Sequence, residues 1–319
     1  MEKPSGDIRD RKIPALHLFF DRAFVKEYMA KKLGRSQVES VTVQVLKYKP
    51  GKRCVLAFEI HPGEAGNPTP VRLLGKVMRK QRAERAFRNY QLLDGYRDEL
   101  RQIPLRIPRG LWLDTELDFF ALEALPGLPV GQEDRQPDRE ILAQIARVLA
   151  GWHRITPSEL DVQPVSYFVQ KYVIKNISSG DGALNPRITQ LIGQIKQRVD
   201  GMETVPALVH GDLSLHHILR NGQELAFVDL DGVVRSRPEV DLAYVMVQLI
   251  TRWGREGMAA AETFLHTYWR EGGRTSPPVL NVLMASFFLR KWFIENKKQT
   301  TEKDKLASYA QLAEWYLKR

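Results

Sequence analysis

The sequence predicts an α+β chain in two lobes, a small antiparallel five-stranded sheet followed by a mostly helical part. Three observations carry this. Between residues 41 and 125, five runs rich in β-branched and aromatic residues alternate with Pro-, Gly- and Asp-containing turns. From about residue 141 onward, apolar residues recur at helical spacing. Leu125-Pro126-Gly127-Leu128-Pro129 separates the two patterns, which sets the expected lobes at 1–124 and 125–319.

Each element has its own signal. Phe20, Phe24 and Tyr28 share one face of a helix expected over 16–33, and Gly34 stops it. The runs 41–48 and 53–60 flank Lys49-Pro50-Gly51-Lys52, the composition of a hairpin turn, and 71–78 follows as a third strand. A helix over 82–93 precedes a stretch broken by Pro104 and Pro108. Two more strands, 111–113 and 117–125, are joined by a tight acidic turn. In the second lobe, Ile141, Ile145, Val148, Leu149 and Trp152 line one face of a helix. Further helices are expected at about 184–200, 239–253, 257–270, 278–294 and 304–318, with one short hairpin near 215–228.

Composition removes several classes. A chain of 319 residues, 43% hydrophobic and 27% charged, has the make-up of a globular protein with a real core. It holds no run of about 18 uncharged apolar residues, so no membrane span is expected. Cys54 is its single cysteine, which forbids an internal disulfide and suits a cytoplasmic location. The net charge of +10 is uneven, with +8 over residues 1–125 and +2 over 126–319. With no zinc-finger spacing or aromatic-basic RNA motif beside it, that charge reads as solvated surface, and nucleic acid is not an expected partner.

The chemistry concentrates in His210-Gly211-Asp212, His217 and the following Phe227-Val228-Asp229-Leu230-Asp231-Gly232. Asn221-Gly222 between them is a tight-turn signal that folds Asp229 back toward Asp212 and His217. Converging carboxylates and an imidazole suit a hard cation such as Mg²⁺ that bridges phosphates, and an acid outside the metal shell can take a proton from a hydroxyl. A regular ladder about that turn pairs His217 with Ala226 and sends Asp229 to the other face, so the strand must end before Asp229. His153 reads as a packed structural histidine, His216 as facing away from His217, and Asp231 as a ligand or a support of the loop. Met284, Phe287, Phe288 and Trp292 read as core, or as one wall of a pocket.

The stretch HGDLSLHHIL with FVDLDGVVRSRPEVDLA resembles the aminoglycoside phosphotransferase and choline kinase group, small-molecule kinases with a protein-kinase-like fold. The resemblance implies Asp212 as the catalytic residue, Asp229 as a metal ligand, and a mainly structural Asp241. His217 stands where most members carry Asn, and is the second implied metal ligand. On the third strand Lys76 matches the lysine that contacts phosphates, with Glu84 as its implied ion-pair partner, and the backbones of Leu122 and Ala124 match the segment that binds adenine. A Gly-rich phosphate loop is missing from the sequence; the turn at Gly51, Lys52 and Arg53 takes its place.

The implied activity is transfer of the γ-phosphate of ATP or GTP, with Mg²⁺, to a hydroxyl of a small molecule. An aminoglycoside or other antibiotic, a sugar and an amino alcohol all fit. The acids of the second lobe, among them Glu133, Asp134, Asp138, Glu140 and Glu256, leave a cationic acceptor open. A catalytically weak pseudokinase serving as a nucleotide-binding regulatory module is the main alternative, and a metallohydrolase using His210, Asp212, His216 and His217 is a further one. Oligomeric state is not legible in the sequence.

Overall fold

The computed structural model describes residues 8–63, 69–132, 138–175, 185–298 and 301–319. Glu133 and Asp134 lie outside the described residues. The chain divides into two compact units, Met1–Gly95 with Ile107–Pro126, and Tyr96–Arg106 with Gly127–Arg319. Residues 96–106, counted with the first lobe by sequence, cluster instead with the second unit. There Leu105 and Arg106 pair in parallel with Leu225 and Ala226, and Ile103 sits where a Cβ on Gly151 would be.

The first unit is built on the expected antiparallel sheet. Ser40–Lys49 lies at one edge, followed by Arg53–His61, Val71–Met78 and Phe119–Glu123, with Gly110–Asp114 at the other edge. Alternate residues of Arg53–His61 (Cys54, Leu56, Phe58, Ile60) are buried, the period-two pattern of a strand with one face on the core. The helix expected over 16–33 is split. Pro14–Phe20 is a 3₁₀ turn, and a helix runs from Arg22 to Lys32. Asp21 causes the break, because its carboxylate caps the new helix by accepting from Ala23 N–H at 2.9 Å and Phe24 N–H at 3.2 Å.

Phe19, Phe58 and Phe119 form the centre of this core, Phe19 stacked on Phe119 with ring centres 4.5 Å apart. Gly75 lies beneath them. A Cβ there would come within 2.4 Å of the Phe119 ring and 2.6 Å of Phe58. We expect Gly75→Ala to destabilise the protein by about 1–3 kcal/mol through overpacking, measured as a lower thermal midpoint. An unchanged midpoint would mean that the rings move aside without cost.

The second unit contains the helices Arg139–Trp152, Pro186–Val199, Glu239–Arg270, Pro277–Asn296 and Lys303–Leu317. The two helices expected at 239–253 and 257–270 meet at Gly254, whose φ of 56° and ψ of −123° break the helix in a conformation open to glycine. Several short elements carry no signal in the sequence. Val165–Val169 is a short helix that continues as a π-helical turn, Gln170–Ile174, and Ala207–Val209 pairs antiparallel with Val234–Ser236. Each is too short to show a period. Fully buried side chains from separate elements, among them Trp152, Phe227, Phe264 and Phe288, make the core.

The hairpin forms in a different register from the expected one. Asn221 pairs with Glu224 and Ile218 with Phe227, so Gly222-Gln223 is the turn and Gly222 alone takes positive φ, at 61°. The ladder stops at Phe227, and Asp229 turns the chain with φ 64° and ψ 47°. The requirement that the strand end before Asp229 is thereby met, by a left-handed residue two positions past the strand.

Candidate active site

Residues 209–217 leave the strand Ala207–Val209 as an irregular loop, and the long helix Glu239–Arg270 fixes it from beneath. Asp241, Tyr244, Gln248 and Arg252 lie on one face of that helix by their spacing. Asp241, 0% exposed, accepts from His210 N–H at 2.7 Å and Gly211 N–H at 2.9 Å, and His153 Nε2 stands 3.4 Å from the same carboxylate. Gln248 accepts from Leu215 N–H at 3.1 Å and donates to Leu213 C=O at 3.2 Å. Arg252 donates to Gly131 C=O, whose own N–H reaches Leu215 C=O. An otherwise apolar helix face thus satisfies the backbone groups that the loop cannot pair itself.

Two further ties set the ends of the loop. His210 Nε2 lies 2.9 Å from Val228 C=O, which can only accept, so Nε2 carries the hydrogen and Nδ1 takes Asp212 N–H at 3.4 Å. That single ring joins Asp212 to the segment bearing Asp229. Gly211 has φ 76°, and a Cβ there would stand 2.9 Å from Gly232 C=O, so the close approach of the two segments needs glycine. Tyr172, from the π-helical turn, donates its hydroxyl to Gly211 C=O.

The three residues singled out in the sequence meet here. His217 lies in a 3₁₀ turn, Leu215–His217, rather than in a strand, and stacks on His210 with ring centres 5.6 Å apart. Its Nδ1 donates to Asp212 C=O at 2.8 Å, which leaves the Nε2 lone pair toward Asp229 Oδ2 at 3.5 Å. His216, in the same turn, is exposed. Asp212 Oδ1 is buried without a hydrogen-bond partner, although the side chain as a whole is 39% exposed. Asp231 is half-buried in the turn Leu230–Gly232.

Burial, and then the neighbouring His210, hold the His217 imidazole below its ordinary value of 6.5, against the pull of Asp229 and Asp212. A lowered value means that the unfolded chain binds this proton more readily, so the group's contribution is present above about pH 6.5 and lost as pH falls below it. We expect the urea midpoint to drop on going from pH 7.5 to pH 5.5 and His217→Asn to flatten that slope. An equal slope in the variant would show that the imidazole is not held neutral.

Several groups around Asp212 carry no local sequence signature. Arg290, from the helix Pro277–Asn296, has Nη2 3.7 Å from Asp212 Oδ1 and donates through Nη1 to the Tyr244 hydroxyl. Its guanidinium lies 4.5 Å from the Tyr172 ring centre and 4.7 Å from that of Tyr244. Lys171 stands over the same Tyr172 ring at 4.8 Å. Burial and the Asp212 charge raise both tyrosine hydroxyls above their usual range, so they remain donors. Met284, Phe287 and Phe288 are core, as expected, with Phe287 edge-on to Tyr244. His153, bonded to the Tyr268 hydroxyl at 2.9 Å, is a packed structural histidine.

In the first unit, Lys76 is 4% exposed on the strand Val71–Met78, with its ammonium 5.9 Å from the Phe120 ring centre. The expected ion pair with Glu84 is not formed. Glu84 sits in the first turn of Ala83–Asp94, and the face that this helix buries is Ala83, Ala86, Phe87, Tyr90 and Leu93, which leaves Glu84 in solvent. Leu122 is buried in the strand Phe119–Glu123, between Val71–Met78 and the edge strand, and Ala124 follows the last paired residue, outside the ladder. The turn at Gly51 is tied down by Asp10, which accepts from Gly51 N–H at 2.6 Å and from the Tyr48 hydroxyl at 2.9 Å. That amide is therefore already used within the unit.

Residues 59–279 match the phosphotransferase enzyme family. The chain belongs to this family. It is a small-molecule phosphotransferase, an enzyme acting on a hydroxyl acceptor. No curated protein matches the phosphotransferase in sequence. Its fold is that of crystal structures of such enzymes. A macrolide 2'-phosphotransferase from Brachybacterium faecium has a TM-score of 0.59 at 15% identity, covering 90% of this chain and 96% of that one. A thermostable aminoglycoside phosphotransferase, APH(4)-Ia, has a TM-score of 0.61 at 13% identity over 92% and 98%. The choline kinase LicA from Streptococcus pneumoniae has 0.58 at 15% over 93% and 98%. The aminoglycoside enzyme has been crystallised with ADP or AMP-PNP together with hygromycin B. Among the described residues, no group of three or more His, Cys, Asp or Glu side chains gathers as a metal site, and no helix is long and apolar enough to cross a membrane.

Proposed function

We propose that this phosphotransferase moves the γ-phosphate of ATP to the hydroxyl of a small molecule in the cytoplasm, with Asp212 as the base. The first unit is the nucleotide-binding lobe and the second the catalytic and acceptor-binding lobe. The observation that carries the reading is an Asp212 oxygen free of hydrogen bonds beside a neutral imidazole and a second carboxylate. Such an oxygen can accept the acceptor's proton at little cost, since no bond must first be broken. The acceptor oxygen forms a bond to the γ-phosphorus, the bond from that phosphorus to the bridging oxygen breaks, ADP departs, and the proton passes to Asp212.

His217 Nε2 and Asp229 Oδ2, 3.5 Å apart, offer one nitrogen and one oxygen to a common ion. Two protein ligands suit Mg²⁺, which keeps waters and takes its remaining oxygens from phosphates. Bound there, the ion would neutralise charge on the phosphate oxygens. Lys76 would supply positive charge to the nucleotide phosphates, and the backbones of Leu122 and Ala124 would hold the adenine edge. The ADP and AMP-PNP complexes of the aminoglycoside enzyme favour an adenine nucleotide.

The test is release of ADP and GDP by the purified chain, with and without Mg²⁺, across hydroxylated antibiotics, sugars, amino alcohols and hydroxy acids. Mg²⁺-dependent ADP release that an acceptor stimulates is the expected result. Nucleotide bound without any transfer would support the regulatory module, and no nucleotide binding would overturn the reading.

A further inference from the structure

The surroundings of Asp212 are cationic: Arg290 Nη2 stands 3.7 Å from its Oδ1, and Lys171 feels both its charge and that of Asp229. Arg290 and Lys171 both pack on the ring of Tyr172, and Arg290 packs on Tyr244 as well. Lys291 and Arg252 extend the positive region from Arg290, and Lys175 adds to it beside Lys171. The acids in range are few. Asp212 and Asp229 belong to the reaction centre, and Glu295 is engaged by Lys298 at 2.7 Å and by Thr301 at 3.2 Å.

Neither of the two leading cations has its bonding capacity filled among the described residues. Arg290 has five N–H donors, of which one is used, on the Tyr244 hydroxyl; its 3.7 Å approach to Asp212 is too long for a hydrogen bond. Lys171 rests on the Tyr167 and Tyr172 rings, with no carboxylate within 4 Å among the described residues. Its burial pulls the ammonium below its usual value, and Asp212 offsets that only in part. A desolvated ammonium and an open guanidinium fork beside the base make a receptor for a planar or tetrahedral anion. An ammonium-bearing acceptor would instead meet two like charges at short range. Arg290 also lies beyond the stretch 59–279 that matches the family.

We propose that the acceptor is a hydroxylated anion, whose carboxylate or phosphate is held by Arg290 and Lys171 while Asp212 receives its hydroxyl. This rests on the phosphotransferase reading above and names its substrate class. The aminoglycosides and amino alcohols left open by the sequence are disfavoured by the same two cations.

The test takes the full chain with AMP-PNP and Mg²⁺ and measures, by calorimetry, binding of pyranoses alike in shape and different in charge: glucose 6-phosphate, glucuronate, glucose and glucosamine. At least one anion should bind about tenfold more tightly than glucose, and glucosamine no more tightly than glucose. Comparing the phosphate with the carboxylate identifies which anion the pair prefers. Arg290→Gln and Lys171→Gln should each lower anion affinity by roughly 3–10-fold and leave glucose within about twofold, and Arg290→Lys should recover only part, lacking the fork. Anions bound no more tightly than glucose, undetectable anion binding at about 10 mM, or tightest binding of glucosamine would overturn the proposal. Absence of AMP-PNP binding in the same cell is a separate result, the failure of the phosphotransferase reading itself.

Discussion

Asp212→Asn will lower acceptor-dependent ADP release by roughly 10²–10⁴-fold, the range a positioned general base supplies. The substitution keeps the shape of the side chain and removes its charge, with the bond to the Tyr244 hydroxyl weakened rather than lost. The Asp212 oxygen in question has no hydrogen bond to lose, and the side chain is 39% exposed, so its 3.7 Å approach to Arg290 contributes little to stability. His217 is bonded to the backbone carbonyl of Asp212, not to its carboxylate, and keeps its tautomer in the variant. The loss should therefore appear in kcat, with nucleotide affinity and thermal midpoint near those of the parent. Turnover close to the parent's would remove Asp212 from the role of base. Asp229→Ala distinguishes the two carboxylates, since its loss should be accompanied by a weaker dependence on Mg²⁺ concentration.

What the sequence made legible was local in the chain. The strands 41–48, 53–60 and 71–78 are alternating patterns with a turn between them, and each formed within a residue or two of its expected ends. Asp212, His217 and Asp229 lie within 18 positions of one another, joined by a hairpin, so their convergence could be argued from spacing. The register of that hairpin could not, because Asn221-Gly222 favours one turn while the structure uses Gly222-Gln223. The groups that surround Asp212 come from far away in the chain. Lys171 stands on a five-residue π-helical turn, and Arg290 ends an apolar run that reads as plain core. Asp241, Tyr244 and Gln248 did leave a trace: polar side chains at helical spacing within Glu239–Ile250, a segment buried all round. A buried polar stripe of that kind must bond something, and here it bonds the loop. Glu84 failed for the opposite reason, since being the sole acid in its helix before Asp94 says nothing about which face it occupies.

Asp241→Asn should be the most destabilising of these substitutions, by about 3–5 kcal/mol, because it leaves buried donors without the charge that holds them. The carboxylate is 0% exposed and takes two backbone N–H groups, from His210 and Gly211, on separate oxygens. An asparagine offers one carbonyl to that pair and must turn its NH₂ toward the other donor, so one contact becomes a clash of hydrogens. Because His210 and Gly211 immediately precede Asp212, the loss of anchoring also displaces the base, and activity should fall together with the thermal midpoint. Saturating acceptor should not restore it, which separates a positioning residue from one that binds substrate. A variant that melts like the parent would show that the loop is held by Gln248, Tyr172 and His210 without Asp241. A variant that melts like the parent and is nevertheless inactive would give Asp241 a part in the chemistry that its complete burial argues against.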